Sequence, residues 1–157
     1  MEIPHWAHRF RRNRIRLLCG VTTTVTTEYR YSLSHAYDSA QSVGQALDHA
    51  LTATPLSGAV RSAVVRDSLN SDEAARLEWP MRGIAADVTD AVSAIDVPVL
   101  VLAGEHDQVE PPHVLQRHLL PSVPRARFDI VPSSGHLLPL EAPAEVAAAL
   151  EVFTTGL

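Results

Sequence analysis

The sequence predicts an α/β fold built from two parallel strands flanked by helices. Residues 97–103 form a nearly continuous apolar run, which is typical of a strand covered on both faces. In residues 126–130 apolar and charged side chains alternate, as they do in a half-buried strand. Helix-opening prolines follow both runs, at Pro111 and Pro112 and again at Pro143. Because the order is strand, helix, strand, helix, we expect the strands to pair in parallel through a right-handed crossover.

Helices are predicted throughout the residues that precede the first strand. Asp38 and Gln41 have the spacing of a capping box and predict a first helix. Ser57 is placed to cap a second, and a third begins at Ser71 and runs towards Trp79 and Pro80, with acidic residues in its first turn. The apolar positions predicted to be buried are Val43, Leu47, Ala50 and Leu51 in the first helix, Val60, Val64 and Leu69 in the second, and Ile84, Val88, Val92 and Ile95 in a fourth.

Two more helices are predicted around the second strand. The first opens at Pro111 and Pro112 and ends at Pro121, and the last begins at Pro143. Their predicted inward residues are Val114, Leu115 and Leu119 in the former, and Val146, Leu150 and Phe153 in the latter.

The charge divides the chain into segments of different character. With 157 residues, 46% hydrophobic and 20% charged, the composition predicts one soluble domain. Residues 1–36 carry six arginines against two glutamates, a net of +4, which leaves −9 for residues 37–157. We therefore distinguish a basic N-terminal segment, 1–36, without an assigned role, a helical region, 37–95, and a strand-containing segment, 96–157.

Compartment and partners are predicted from what the sequence lacks. The single Cys19 cannot form an internal disulfide, and no apolar stretch approaches the ~20 residues of a membrane-spanning helix. We expect a cytoplasmic protein with no membrane partner. The arginines of residues 9–16 predict a solvated arm, and because the rest of the chain is acidic we expect no nucleic-acid partner.

An acid and a histidine follow the two predicted strands. Loops after neighbouring parallel strands emerge at one edge of the sheet, and the strands themselves lie ~4.8 Å apart. We therefore expect Asp107 and His136 to touch, with Glu105 as the alternative acid. Such a carboxylate fixes the imidazole tautomer and stabilises the imidazolium formed during acyl transfer. His113 and His118 do not share one face of an α-helix, so we predict no metal site.

These motifs resemble the C-terminal part of the α/β-hydrolase family. Residues 97–107 are followed 29 residues later by Gly135-His136, with Pro139, Glu141 and Pro143 behind. The resemblance covers about residues 37–155 and implies a partial α/β-hydrolase fold, two parallel strands preceded by cap-like helices. It also implies that Asp107 orients His136, that His136 is the general base, and that Gly135 permits a tight bend beside it.

The resemblance further implies a substrate pocket and a reaction. Trp79, Leu137 and Leu138 would line a pocket for a small ester or other acyl substrate, and an esterase or lipase-like hydrolase of this kind needs no metal or organic cofactor. The family carries its nucleophile in Gly-x-Ser-x-Gly, and that pattern is missing from the sequence. Ser57, Ser134 and Cys19 each lack the required small neighbours or stand in the wrong turn.

Three hypotheses follow from the missing nucleophile. The first is the C-terminal portion of a hydrolase, inactive alone, as a truncated or frameshifted product would be. The second is a non-catalytic binding or assembly module, and the third is half of a split enzyme. Two parallel strands alone leave residues 97–103 poorly covered. We therefore expect either that residues 15–25, a second copy or a partner chain completes the sheet, or that the chain is marginally stable and prone to aggregate.

Overall fold

The computed structural model describes residues 34–83 and 89–156. The predicted strand at 15–25, Cys19, and the predicted helical positions Ile84 and Val88 lie outside these ranges. No helix within the two ranges is both long enough and apolar enough to cross a membrane.

Two parallel strands form the centre of the described fold, as predicted. Strand β1 is Val99–Gly104 and strand β2 is Ala126–Val131. They pair residue for residue, from Val99 opposite Ala126 to Gly104 opposite Val131. Regular pairing begins after Pro98, whose ring nitrogen has no hydrogen to donate to the ladder. The parallel register brings the carboxyl ends of both strands to the same edge.

The core lies between β1 and the crossover that connects the strands. The buried cluster comprises Val92, Val99, Val101, Ala103, Leu115, Leu119 and Val123. The crossover begins as a single α-turn, Pro112–Val114, continues as a π-helical turn, Leu115–Leu119, and closes as a 3-10 turn, Leu120–Ser122. Leu115 and Leu119 are buried as predicted, but Pro121 does not end the helical chain, because the first turn of a 3-10 helix accepts proline.

The side chains of strand β2 are less regularly buried than the alternating sequence predicts. Ala126 and Phe128 pack against the core cluster, whereas Ile130 on the same face lies beyond it and is 46% exposed. On the other face Arg127 and Asp129 form an ion pair at 2.8 Å. The exposure of Ile130 shows that burial along an alternating strand depends on the covering residues and not on alternation alone.

The first helices differ from the prediction mainly at their caps. Helix α1, Ala40–Ala46, is capped by Ser39, which forms a capping box with Ser42, and not by Asp38 with Gln41. Ser39 has the extended backbone that a cap requires, and Asp38 instead lies 2.6 Å from the His35 ring. A π-helical turn, Leu47–Leu51, continues α1, and Leu47 is buried there.

The next three helices are largely exposed. Ser57 caps α2, Gly58–Leu69, as predicted, but no residue of α2 is buried, so the predicted stripe Val60, Val64, Leu69 was wrong. Helix α3, Glu73–Met81, is capped by Asp72 and not begun by Ser71. The short helix α4, Thr89–Ser93, contributes the buried Val92.

Two helices follow β2. A short helix, α5, Leu138–Glu141, was not predicted, and it leads into α6, Pro143–Thr155, which begins at the predicted proline. Val146, Leu150 and Phe153 are half-buried, so α6 packs loosely, and Val152 is 55% exposed.

Candidate active site

Asp107 lies at the carboxyl end of β1 and is held by its own loop. Its Oδ1 accepts hydrogen bonds from the backbone N–H groups of Val109, at 2.8 Å, and Glu110, at 2.9 Å. Its Oδ2 lies 2.9 Å from Nδ1 of His136. The residue is only 8% exposed, so these three contacts replace most of the water around the carboxylate.

The acid that meets His136 is therefore Asp107 and not Glu105. The Glu105 carboxylate turns instead to the histidine loop, where its Oε2 accepts a hydrogen bond from the backbone N–H of Ser133 at 2.9 Å. Ser133 has a positive φ of 54°, a conformation that non-glycine residues seldom adopt. Glu105 thus fixes the strained turn that leads into the histidine loop.

Two glycines allow the loops to approach. A Cβ on Gly104 would lie 2.1 Å from the carbonyl oxygen of Gly135 and 2.6 Å from that of Ser134. A Cβ on Gly135 would lie 2.7 Å from the backbone nitrogen of Ala53. The backbone bends at His136, as the resemblance implied, and because the φ of Gly135 is outside the left-handed region, this glycine is required there for close approach.

The backbone of His136 is anchored on the helical region. The N–H of His136 donates to the carbonyl of Leu51 at 2.9 Å, and the N–H of Leu137 donates to the same oxygen at 3.2 Å. Leu51 ends the π-helical turn that follows α1. This contact could not be predicted from the residue types, because it joins main-chain atoms and requires no particular side chain.

The pair perturbs the pKa of both members. For Asp107, burial is the largest influence and opposes ionisation, but hydrogen bonds from His136, Glu110 and Val109, together with the charge of His136, outweigh it and lower the pKa. The hydrogen bond to Asp107 is the largest cause that raises the pKa of His136, and burial opposes it. The negative charges of Asp107, Glu110 and Glu141 add to the increase.

The arrangement determines which nitrogen can exchange a proton. Because Nδ1 of His136 is engaged by Asp107, Nε2 is the atom placed to take a proton from a nucleophile and return it to a leaving group. The side chain of His136 is 23% exposed and that of Asp107 only 7%. An accessible imidazole backed by a buried carboxylate is the geometry that general acid–base catalysis requires.

The two serines considered as nucleophiles both use their hydroxyl groups in hydrogen bonds with the backbone. Ser134 is 1% exposed, and its hydroxyl donates to the carbonyl of Val131 at 2.8 Å. The Ser57 hydroxyl accepts from Val60 N as the cap of α2. Cys19 lies outside the described residues.

The predicted pocket residues lie at different distances from His136 in the sequence. Leu137 and Leu138 are half-buried and follow His136 directly. Trp79 lies in α3, and its side chain is outside the described part. Their contact with a substrate stays a prediction.

An open cleft of about 440 Å³ lies at the other end of the strands. It is lined by Pro98, Arg125, Arg127, Val152, Phe153 and Gly156. Pro98, Arg125 and Arg127 lie at the starts of β1 and β2, so the cleft is remote from the loops that carry Asp107 and His136.

Within residues 34–83 and 89–156 no three potential ligand side chains are grouped as a metal ion would require. The spacing argument against His113 and His118 does not hold, because the turn that carries His118 is π-helical.

Comparison with known proteins identifies the family. A sequence profile described as "Alpha/beta hydrolase family" matches residues 4–149. The chain belongs to the α/β-hydrolase family. The match takes in most of residues 1–36, which the sequence alone left unassigned. A search of curated proteins found no match.

Solved structures share the fold of this α/β-hydrolase chain at low identity. An esterase from Thermogutta terrifontis is 22% identical with a TM-score of 0.67, over 87% of this chain and 52% of the other. Carboxylesterase CesB from Bacillus subtilis is 24% identical with a TM-score of 0.66, over 80% and 45%. A bromoperoxidase from Bacillus anthracis is 12% identical with a TM-score of 0.73, over 84% and 50%. The chain spans about half the length of these structures, of which 52%, 45% and 50% are covered.

Proposed function

We propose that this chain supplies the acid and the base of an esterase or lipase-like hydrolase that acts on a small ester or other acyl substrate. The observation that carries the proposal is the hydrogen bond between Asp107 and His136, which join at the carboxyl ends of two parallel strands. Membership in the α/β-hydrolase family and the esterases among the similar structures support this reaction class. The substrate itself is an inference from that class.

In the proposed reaction His136 moves protons and Asp107 stays ionised. Nε2 of His136 takes the proton of a nucleophilic hydroxyl while that oxygen attacks the acyl carbon. The imidazolium then gives the proton to the departing alkoxide, which leaves as an alcohol. Water repeats the cycle: His136 takes its proton, hydroxide attacks the acyl group, and the nucleophile leaves reprotonated. The lowered pKa of Asp107 keeps its negative charge beside the imidazolium throughout.

We further propose that these 157 residues alone do not turn over an ester. The sequence has no Gly-x-Ser-x-Gly segment, and Ser134 and Ser57 hold their hydroxyls in structural hydrogen bonds. The sequence also lacks a Gly-rich loop of the His-Gly-Gly type that would form an oxyanion hole. Without a nucleophile and an oxyanion hole, the two largest contributions to this kind of catalysis are missing. The nucleophile then comes from a segment outside this sequence.

Complementation tests the proposal. The full chain is co-expressed with the part of a structurally similar esterase that this chain does not cover, chosen to contain a Gly-x-Ser-x-Gly segment. We call the product the complemented enzyme. We expect the chain alone to leave nitrophenyl acetate intact, and the complemented enzyme to hydrolyse it with a rate that falls at least about 100-fold in His136→Ala. His113→Ala, at an exposed histidine, serves as the matched control and keeps the rate.

Two results would contradict the proposal. Turnover by the chain alone, abolished by His136→Ala, would show that it holds its own nucleophile. A folded complemented enzyme whose turnover is the same with His136→Ala would remove this histidine from the chemistry.

A second candidate function is an assembly module, and a specific feature favours it. The apolar residues Ile130 and Val152 are 46% and 55% exposed, and β1 and β2 are the only strands among the described residues. A second copy or a partner chain that adds to the sheet would cover such a surface. Light scattering on the purified chain distinguishes the cases: a stable dimer supports the module, and a well-behaved monomer at high concentration argues against it.

A further inference from the structure

We propose that Glu141 is a positioning residue, which holds the imidazole of His136 against Asp107 by tying the histidine loop to residues 51–54. This inference deepens the proposed function and rests on it, because the position of the imidazole matters most if His136 transfers protons.

The Glu141 carboxylate accepts hydrogen bonds from two separate stretches of chain. From the helical region, Ala53 N lies 2.7 Å and Thr54 N lies 3.1 Å from Oε2. From the histidine loop, Gly135 N lies 3.1 Å from both oxygens, and Leu137 N lies 3.2 Å from Oε1. One side chain thus joins the histidine loop to a segment whose Ala53 lies 88 residues from Glu141 in sequence.

These contacts fix the histidine from both sides. Gly135 and Leu137 flank His136 and donate to Glu141, while the N–H of His136 itself donates to Leu51. The backbone amides of three consecutive residues therefore all donate to the Glu141 carboxylate or to the Leu51 carbonyl. The loop cannot slide or turn without breaking several of these bonds together, so the ring stays at its 2.9 Å contact with Asp107.

A carboxylate suits this position better than an amide does. Its two oxygens carry enough lone pairs for all four N–H donors, and hydrogen bonds to an ionised acceptor are roughly twice as strong as neutral ones. Glutamine keeps the shape of the side chain but has one acceptor oxygen and no charge. The space is also tight, since a Cβ on Gly135 would lie 3.1 Å from Oε1 of Glu141.

The charge of Glu141 acts on His136 as well. The carboxylates whose charge raises the pKa of His136 are Asp107, Glu110 and Glu141. Removing the charge of Glu141 lowers that pKa even if the loop does not move. A test of positioning therefore needs a measurement that reports the contact with Asp107 directly.

Nuclear magnetic resonance of the full chain supplies this measurement without any turnover. The variants are Glu141→Gln and Glu141→Ala, and the matched control is Glu145→Gln, which removes the charge of an exposed carboxylate in the first turn of α6. Two signals are followed: the Nδ1 proton of His136, which reports its hydrogen bond to Asp107, and hydrogen exchange of the His136 amide. That amide donates to Leu51 and not to Glu141, so it reports the loop and not the deleted bond.

The positioning role predicts graded and local effects. We expect exchange of the His136 amide to accelerate by at least about tenfold in Glu141→Ala and by less in Glu141→Gln. The Nδ1 proton signal should broaden or disappear in the same order, while Glu145→Gln leaves both signals as in the wild type. Amides of β1 and β2 should keep their protection in all three variants.

Two outcomes would overturn the inference. One is an unchanged Nδ1 signal and unchanged His136 exchange in Glu141→Ala, even with a lower pKa, because the charge alone would then act. The other is global loss of protection in Glu141→Gln, which would make Glu141 a general stabiliser. An inactive complemented enzyme with the expected NMR changes would defeat the proposed function alone, so the two failures are distinguishable.

Discussion

Replacing Gly104 with alanine tests how the two site loops are held together. The new Cβ would lie 2.1 Å from the carbonyl oxygen of Gly135 and 2.6 Å from that of Ser134. Real Cβ contacts are essentially never shorter than 3.0 Å, so the loops must part by about 1 Å. A displacement of that size lengthens the 2.9 Å bond from His106 N to Ser134 O beyond hydrogen-bond distance.

The expected cost follows from these two effects. Overpacking of a close contact costs about 1–3 kcal/mol, and a buried polar group left unpaired costs about 1–3 kcal/mol more. We therefore expect Gly104→Ala to lower the free energy of unfolding by about 3 kcal/mol and to weaken the Nδ1 proton signal of His136. Urea unfolding followed by circular dichroism measures the first quantity, and NMR measures the second.

Gly58→Ala is the matched control for this experiment. Nothing lies within 4 Å of a Cβ at Gly58, which begins α2. Alanine there should leave stability unchanged or raise it by up to about 1 kcal/mol. The reasoning is refuted if Gly104→Ala unfolds within about 0.5 kcal/mol of the wild type and keeps the Nδ1 signal.

Three further predictions concern the charges and the buried serine. Asp107→Asn should lower the pKa of His136 in an NMR titration, because the hydrogen bond to Asp107 is the largest cause that raises it; an unchanged pKa would contradict the assignment. The same variant should lose about 1.5–3 kcal/mol of unfolding free energy at neutral pH, measured in urea. The stability that His136 contributes is the free energy of unfolding of the wild type minus that of His136→Ala. This difference should be fully present below the ordinary His136 pKa of 6.5 and lost as the pH rises through the raised pKa. A difference that grows with pH would have the wrong sign. Ser134→Ala should cost about 1–2 kcal/mol, because its hydroxyl is buried and bonded to Val131, and should leave turnover of the complemented enzyme unchanged. Loss of that turnover with the fold intact would return Ser134 to the list of nucleophiles.

The sequence predicted those parts of the fold that depend on local patterns. The apolar residues 97–103 gave β1, and the strand–helix–strand order gave the parallel pairing. From that topology we expected an acid of the β1 loop to contact His136, because both loops had to emerge at one edge, and the structure selects Asp107 over the alternative Glu105. The burial of Leu115 and Leu119 followed from their helical spacing.

The parts that the sequence could not predict depend on distant neighbours or on close local competition. The spacing of Val60 and Val64 occurs equally on exposed helices, so it could not show that α2 lacks a cover. Asp38 and Ser39 are both good caps, and only the backbone conformation selects Ser39. Glu141 belonged to the motif that suggested the family, but its four backbone donors have no sequence signature.

The long separation between Ala53 and Glu141 bears on how the protein folds. Asp107 and His136 are 29 residues apart, whereas Ala53 and Glu141 are 88 apart. Closing the longer loop costs about 1 kcal/mol more chain entropy, which slows its formation relative to the strand pair. We therefore expect the bonds of Glu141 to Ala53 and Thr54 to form after the strands pair, and partial unfolding that releases residues 51–54 to loosen the histidine loop before the strands separate.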